Sequence, residues 1–272
     1  MCLSEHMYSI SKNKQTILFI VLAGLFITNA IIAEFIGVKI FSLEKSLGFG
    51  SLDFSLFGID NLAFNLTAGV LLWPVVFVMT DIINEYFGPK GVRFLSYLAS
   101  ALIIYAFLVV FFAVRLQPAD FWPTSHISEK TPWLGSEVGN LNTAYRLIFG
   151  QGLWIIVGSL IAFIFGQIID VFVFHKIKEK TGENSIWLRS TGSTIISQFI
   201  DSYVVLFIAF YFGAGWSIKQ VLAIGTVNYI YKFIVAVLIT PLIYLIHKLI
   251  ENFLGKDLAV KLKLEAMNRQ NS

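Results

Sequence analysis

Six stretches of this chain are each apolar over a length that can cross a lipid bilayer, and that constrains its fold more than any other feature. A span needs about 20 mostly apolar residues to cover the hydrocarbon core. The stretches 16–40, 64–87, 94–116, 153–174, 193–212 and 221–249 meet that requirement. Inside a bilayer no water takes up backbone N–H and C=O groups, so segments of this length close their hydrogen bonds within helices. The expected fold is all-α: a polytopic integral membrane protein with six transmembrane helices, forming one domain over 1–272 in the inner (cytoplasmic) cell membrane. Composition agrees, with 57% hydrophobic and 14% charged residues against about 25% charged in a soluble chain. The first stretch follows Lys12 and Lys14, and its length and the lack of a small-residue cleavage site after it separate it from a cleavable signal.

An even number of spans puts both termini on one side, and the basic residues choose the side. With both termini cytoplasmic, the inner segments hold Lys12, Lys14, Lys90, Arg93, Lys176, Lys178, Lys180, Arg189, Lys248, Lys256, Lys261, Lys263 and Arg269. The outer segments hold only Lys45, Arg115, Lys130, Arg146 and Lys219. That excess of Lys and Arg inside is the positive-inside pattern. The loop 41–62, with Gly48, Gly50 and Gly58 among alternating apolar residues, suggests a hairpin or re-entrant piece. The longer segment 117–151 carries Pro118, Pro123, Pro132, Trp122 and Trp133 and is expected at the outer interface. The tail 257–272 is charged and helix-like, with a solvated face.

Several chemistries are excluded early. A net charge of +3 on scattered residues makes no nucleic-acid surface, and the single Cys2 makes neither a disulfide framework nor a zinc cluster. No phosphate-cradling loop, H-E-x-x-H or G-x-S-x-G pattern occurs, so neither ATP hydrolysis nor an embedded hydrolase is expected, and no cofactor is implied. The histidines His6, His126, His175 and His247 lie near span ends or in loops, and His175 and His247 read as cytoplasmic interface residues.

Against this background the ionisable and amide side chains inside spans stand out, each costing about 2.5–3.5 kcal/mol on insertion scales when charged. Span one carries Asn29, Glu34 and Lys39; span two ends in Asp81, Asn84 and Glu85, one to two turns beyond Trp73 and Phe77. Gln167 and Asp170, and again Gln198 and Asp201, are three apart and share a helix face, with Thr194 four before Gln198; Asn228 and Lys232 are four apart. One polar stripe on each of four helices predicts a shared polar centre. The plain reading is inter-helix glue, Asp201 or Asp170 paired with Lys232. Yet Asp81, Glu85, Asp170 and Asp201 face a single interior cation, Lys232, and the surplus acids need donors, protons or a ligand. Residues 31–39 also echo 82–90 at offset 51, with Gln167–Asp170 as a fainter third copy, and repeats often build transporter cores. Helix breaks are expected at Pro74 and Pro241.

Several of these residues carry a family resemblance. Thr80-Asp81 and Phe87-Gly88, then Gly166-Gln167-Ile168-Ile169-Asp170-Val171-x-Val173-Phe174, then Ser193-Thr194, Asp201, Phe207-Ile208-Ala209-Phe210, Asn228-Tyr229, Lys232 and Pro241 resemble the queuosine precursor transporter (VUT, vitamin uptake transporter) family. The likeness spans nearly all six stretches. The sequence departs from shorter members in its long segment between spans three and four, and in Asn228 where an acid can occur. The resemblance implies import of 7-cyano-7-deazaguanine or 7-aminomethyl-7-deazaguanine for tRNA queuosine salvage. A deazaguanine has N–H donors at N1 and the 2-amino group and an acceptor at O6, so a carboxylate suits one edge and an amide or ammonium the other. Asp170 and Asp201 are the candidates for the acceptor edge, Gln167 and Gln198 for amide contacts, and Lys232 for the carbonyl. Asp81, Asn84 and Asn228 complete the expected site, and Trp73, Phe77, Tyr203 or Tyr229 could stack on the ring. The expected partners are this small molecule and the bilayer, with a homodimer open. Two other readings remain: a substrate-binding membrane component that borrows a separate ATPase, and a membrane scaffold held by buried ion pairs.

Overall fold

The computed structural model describes residues 13–126, 138–150, 153–181 and 186–268. Helix α1 (Lys14–Ile36) starts where the Asn13 side chain accepts hydrogen bonds from the N–H groups of Gln15 and Thr16, satisfying donors that the first helical turn leaves free. Between it and the next helix lie strands β1 (Ile40–Ser42), β2 (Phe54–Leu56), β3 (Ile59–Leu62) and β4 (Asn65–Thr67). β1 pairs antiparallel with β4 and β2 with β3, so the glycine-rich loop is a pair of small hairpin ladders. Glu44 fastens them, its carboxylate accepting from the Phe64 N–H at 2.8 Å and from Ser42 Oγ at 3.1 Å. Desolvation pushes its pKa up, but the N–H groups of Phe64 and of Glu44 itself and the Ser42 hydroxyl prevail and hold it below the ordinary value.

Helix α2 (Trp73–Ala113) carries two of the expected spans over its 41 residues. It is folded in two. Gly88, at φ 73 and ψ −177, is non-helical, and Pro89 follows it. Gln167 Oε1 accepts from Thr80 Oγ1 at 3.0 Å and from Ser96 Oγ at 3.5 Å. Those residues would stand about 24 Å apart along a straight helix, so the arms 73–87 and 89–113 must run back alongside each other from an elbow at Gly88. Thus, among the described residues, five helices long and apolar enough to cross a membrane carry the six apolar stretches. The expected break at Pro74 is instead a helix start, where a missing N–H costs nothing, and Pro241 lies within a continuous helix. An Ala side chain at Gly88 would meet the Ala266 carbonyl oxygen at 3.0 Å and adopt a backbone region open essentially to glycine alone. Gly88→Ala should therefore destabilise the protein by about 1–3 kcal/mol, read as a lower unfolding temperature in detergent.

Helices α3 (Leu141–Phe149), α4 (Leu153–Thr181), α5 (Ile186–Leu206, continued by a π-helical turn Phe207–Phe212), α6 (Ile218–Leu254) and α7 (Lys256–Asn268) complete the chain. A capping box opens α6, Ser217 and Gln220 each bonding the other's N–H. The core forms where Leu18, Leu22, Phe26 and Ala30, four apart along α1, meet Val76, Met79 and Ile83 of α2, a helical stripe against a helical stripe. The tail corrects an expectation: α7 is not simply solvated, because Ala259, Leu262 and Ala266 are buried against the elbow of α2 while Lys256 and Lys261 stay exposed. Trp122 packs edge-on against Tyr145 of α3; Trp133, Pro132, Lys12, His6 and Cys2 lie outside the described residues.

Candidate functional site

A pocket opens between the first arm of α2, α5 and α6, each presenting one face at helical spacing. Trp73, Phe77 and Asp81 line it from α2; Ser190, Thr191, Thr194 and Gln198 from α5; Lys232, Ala236 and Ile239 from α6. Its closed interior is about 20 Å³, so a ligand larger than a water enters only as the surrounding helices part; most of the wall is apolar, and the few polar atoms set its chemistry. Asp81 Oδ2 accepts from the Ser190 hydroxyl, whereas Asp81 Oδ1 and both amide atoms of Gln198 are buried with no hydrogen-bond partner among the described residues. Leaving such groups unpaired costs about 1–3 kcal/mol each. A carboxylate oxygen, an amide donor and an amide acceptor thus converge with the Lys232 ammonium beside two aromatic walls.

The sequence-derived candidates divide accordingly. Asp81, Gln198, Lys232, Trp73 and Phe77 line the pocket. Asp170 stands one layer behind, fully buried, accepting from Ser197 Oγ at 3.1 Å. Gln167 is used between the arms of α2 and faces a different, smaller pocket beside Ser96. Asn84 is turned away to His175, Nε2 to Oδ1 at 2.6 Å. Asp201 pairs with Lys232, which settles which acid meets that lysine. Asn228 lies one turn before Lys232, half-buried and outside the lining. Tyr203 bonds Thr226 at 2.9 Å, and both Tyr203 and Tyr229 pack on the exposed Phe199 ring at 5.0 and 5.2 Å, so their rings serve the α5–α6 contact.

Two expectations about charge are overturned. Lys232 is not the lone interior cation: Lys178 and Arg189 are 1% and 0% exposed and bind Glu85 at 3.0 and 2.8 Å. The apolar stretches end at 174 and begin at 193, which places both in a cytoplasmic loop, but α4 and α5 extend past those limits and carry these cations into the bundle. Nor are His175 and His247 interface residues; both are buried, His247 Nδ1 lying 3.2 Å from the Tyr86 hydroxyl. Ser190 and Thr191 were also missed. The signal available was the hydroxyl and amide stripe 190–194–198, which continues the Thr194–Gln198 spacing one turn earlier.

Comparison with known proteins bears on the same region. Residues 67–246, which include every pocket residue, match the family described as "Putative vitamin uptake transporter". The chain is 31% identical over 195 residues to the "Probable queuosine precursor transporter" of Bacillus subtilis (strain 168), covering 70% of this chain and 76% of that one. It is 26% identical over 210 residues to the "Queuosine precursor transporter" of Escherichia coli (strain K12), covering 77% and 83%. It is 23% identical over 184 residues to the "Probable queuosine precursor transporter" of Haemophilus influenzae (strain ATCC 51907 / DSM 11121 / KW20 / Rd), covering 66% and 67%. No solved structure matches. With its pocket inside the matched stretch and its long apolar helices around it, this chain belongs to the vitamin uptake transporter family of queuosine precursor transporters, multi-pass membrane proteins that transport rather than catalyse.

Proposed function

We propose that this protein imports a 7-deazaguanine precursor of queuosine, 7-cyano-7-deazaguanine or its 7-aminomethyl relative, and binds it in the pocket between α2, α5 and α6. The observation that carries this reading is the set of unpartnered buried atoms, Asp81 Oδ1 with the Gln198 amide, in a pocket that Trp73 and Phe77 also line. N1–H and the 2-amino group donate to Asp81, while the Gln198 amide N–H and the Lys232 ammonium donate to O6. The ring lies against Trp73 and Phe77, where an apolar face gains from burial and stacking. Analogues lacking the donor edge leave Asp81 unpaired and are rejected. The acceptor role that the sequence suggests for Asp170 and Asp201 passes to Asp81, because Asp201 already holds Lys232 and Asp170 does not reach the lining.

Both termini are cytoplasmic in this proposal, in keeping with the excess of Lys and Arg in the segments on that side; reporter fusions at each end test it. The functional test is a precursor-requiring cell deprived of its own uptake routes. Expression of this chain is expected to restore queuosine in tRNA from externally supplied precursor, and failure of restoration with the protein in the membrane overturns the reading. Uptake by the purified chain alone in liposomes would remove the need for a separate ATPase.

A further inference from the structure

Beneath the pocket lies a charge account that substrate binding alone does not close. Asp81, Glu85 and Asp170 are buried to 2% exposure or less, as are Lys178 and Arg189. Glu85 takes both cations. Asp81 and Asp170 lie within electrostatic reach of each other, and Asp81 also of Glu85 and Arg189. Among the described residues this cluster therefore sets three carboxyl groups against two basic side chains. Other ionisable groups packed around it are engaged elsewhere: Lys232 with Asp201, Lys263 with Glu251, His175 with Asn84 and His247 with Tyr86. Burying an uncompensated charge costs several kcal/mol, so one positive charge is missing.

The geometry around the two aspartates is that of a proton site. Each has one oxygen held by a hydroxyl of α5, Asp81 Oδ2 by Ser190 and Asp170 Oδ1 by Ser197. Each has its second oxygen, Asp81 Oδ1 and Asp170 Oδ2, buried and without a hydrogen-bond partner among the described residues. Ser193, between Ser190 and Ser197 on the same helix, is buried and donates to the Ser190 carbonyl at 3.0 Å. The described residues hold no group of three His, Cys, Asp or Glu side chains arranged to take a metal ion. We infer that Asp81 and Asp170 bind one transported proton between them, so that precursor and proton enter together. This rests on the import reading above and deepens it. A deazaguanine that donates two N–H groups to Asp81 requires that carboxyl to be ionised, which confines the proton to Asp170. The proton binds a carboxylate oxygen from outer water and leaves it to cytoplasmic water, with no other bond made or broken.

The test uses the purified full-length protein in liposomes loaded with a pH-sensitive dye and supplied with radiolabelled 7-cyano-7-deazaguanine, chosen because it carries no ammonium of its own. About one proton is expected per precursor, and an inward gradient of one pH unit should drive ~10-fold accumulation, one pH unit being a factor of ten in proton activity. Asp170→Asn should bring the proton-to-precursor ratio toward zero, and Asp170→Glu, which keeps a carboxyl, should restore it. Precursor entry without protons in the natural protein overturns the inference whether or not the variants fold, and so does entry that follows a sodium gradient. Loss of coupling in Glu34→Gln but not in Asp170→Asn moves the site to another buried acid, beside Ser159 and within reach of Asp201, and also overturns it. Liposomes that move no precursor at all strike the import reading itself, whereas precursor movement without protons leaves that reading standing.

Discussion

Asp81→Ala is expected to abolish precursor uptake while the protein stays folded in the membrane at its normal abundance. The carboxylate is the one acid in the pocket lining, and two hydrogen bonds to a charged acceptor are worth about 1.5–3 kcal/mol each, so losing them weakens binding by ~100-fold or more. The fold should tolerate the change better than most buried losses. The chain gives Asp81 one hydroxyl bond, from Ser190, and that serine can return to its own helix carbonyls. Gln198→Ala should act in the same direction and less severely, since it removes neutral contacts only. Initial uptake rates of labelled precursor, set beside membrane abundance by immunoblot, read both. Unchanged uptake by the Asp81 variant would remove it from the site.

The second large effect concerns stability rather than transport. Glu85→Ala removes the carboxylate that binds both buried cations, Lys178 and Arg189, and breaking such a pair from one side costs about 3–5 kcal/mol. The three residues come from α2, α4 and α5, so their loss frees three helices at the same end of the bundle. Expression in the membrane should fall, and the unfolding temperature in detergent should drop well beyond what Gly88→Ala produces. Exchanging all three for apolar residues of similar size should recover much of the loss, because the cost arises from stranded charge and not from missing volume. A Glu85→Ala protein as stable as the parent would mean that water reaches this cluster.

How much of this was legible in the sequence follows from what repeats locally. The apolar stretches announce the helices, and the spacing of Trp73, Phe77 and Asp81, or of Thr194 and Gln198, announces which face each presents. Boundaries were less legible where a charge sits inside a helix. Arg189 reads as loop because an arginine in a span is expensive; it becomes affordable only with Glu85 opposite, 104 positions away in sequence. The same blindness turned His175 and His247 into interface residues, since their partners Asn84 and Tyr86 lie on another helix.

By itself the sequence determined the class of solution: long helices in a membrane, polar stripes on several of them, and the residue types from which a polar centre is built. Those properties depend on length, hydropathy and a period of 3.6, which any segment carries alone. The tertiary structure decided which polar residues meet. The elbow at Gly88 sets the two arms of α2 side by side, and the pairings of Glu85 with Lys178 and Arg189, and of Asp201 with Lys232, leave Asp81 and Gln198 free to face the pocket. Pair distance is the deciding quantity, because in a low-dielectric interior the same carboxylate is a strut beside a cation and a binding group without one.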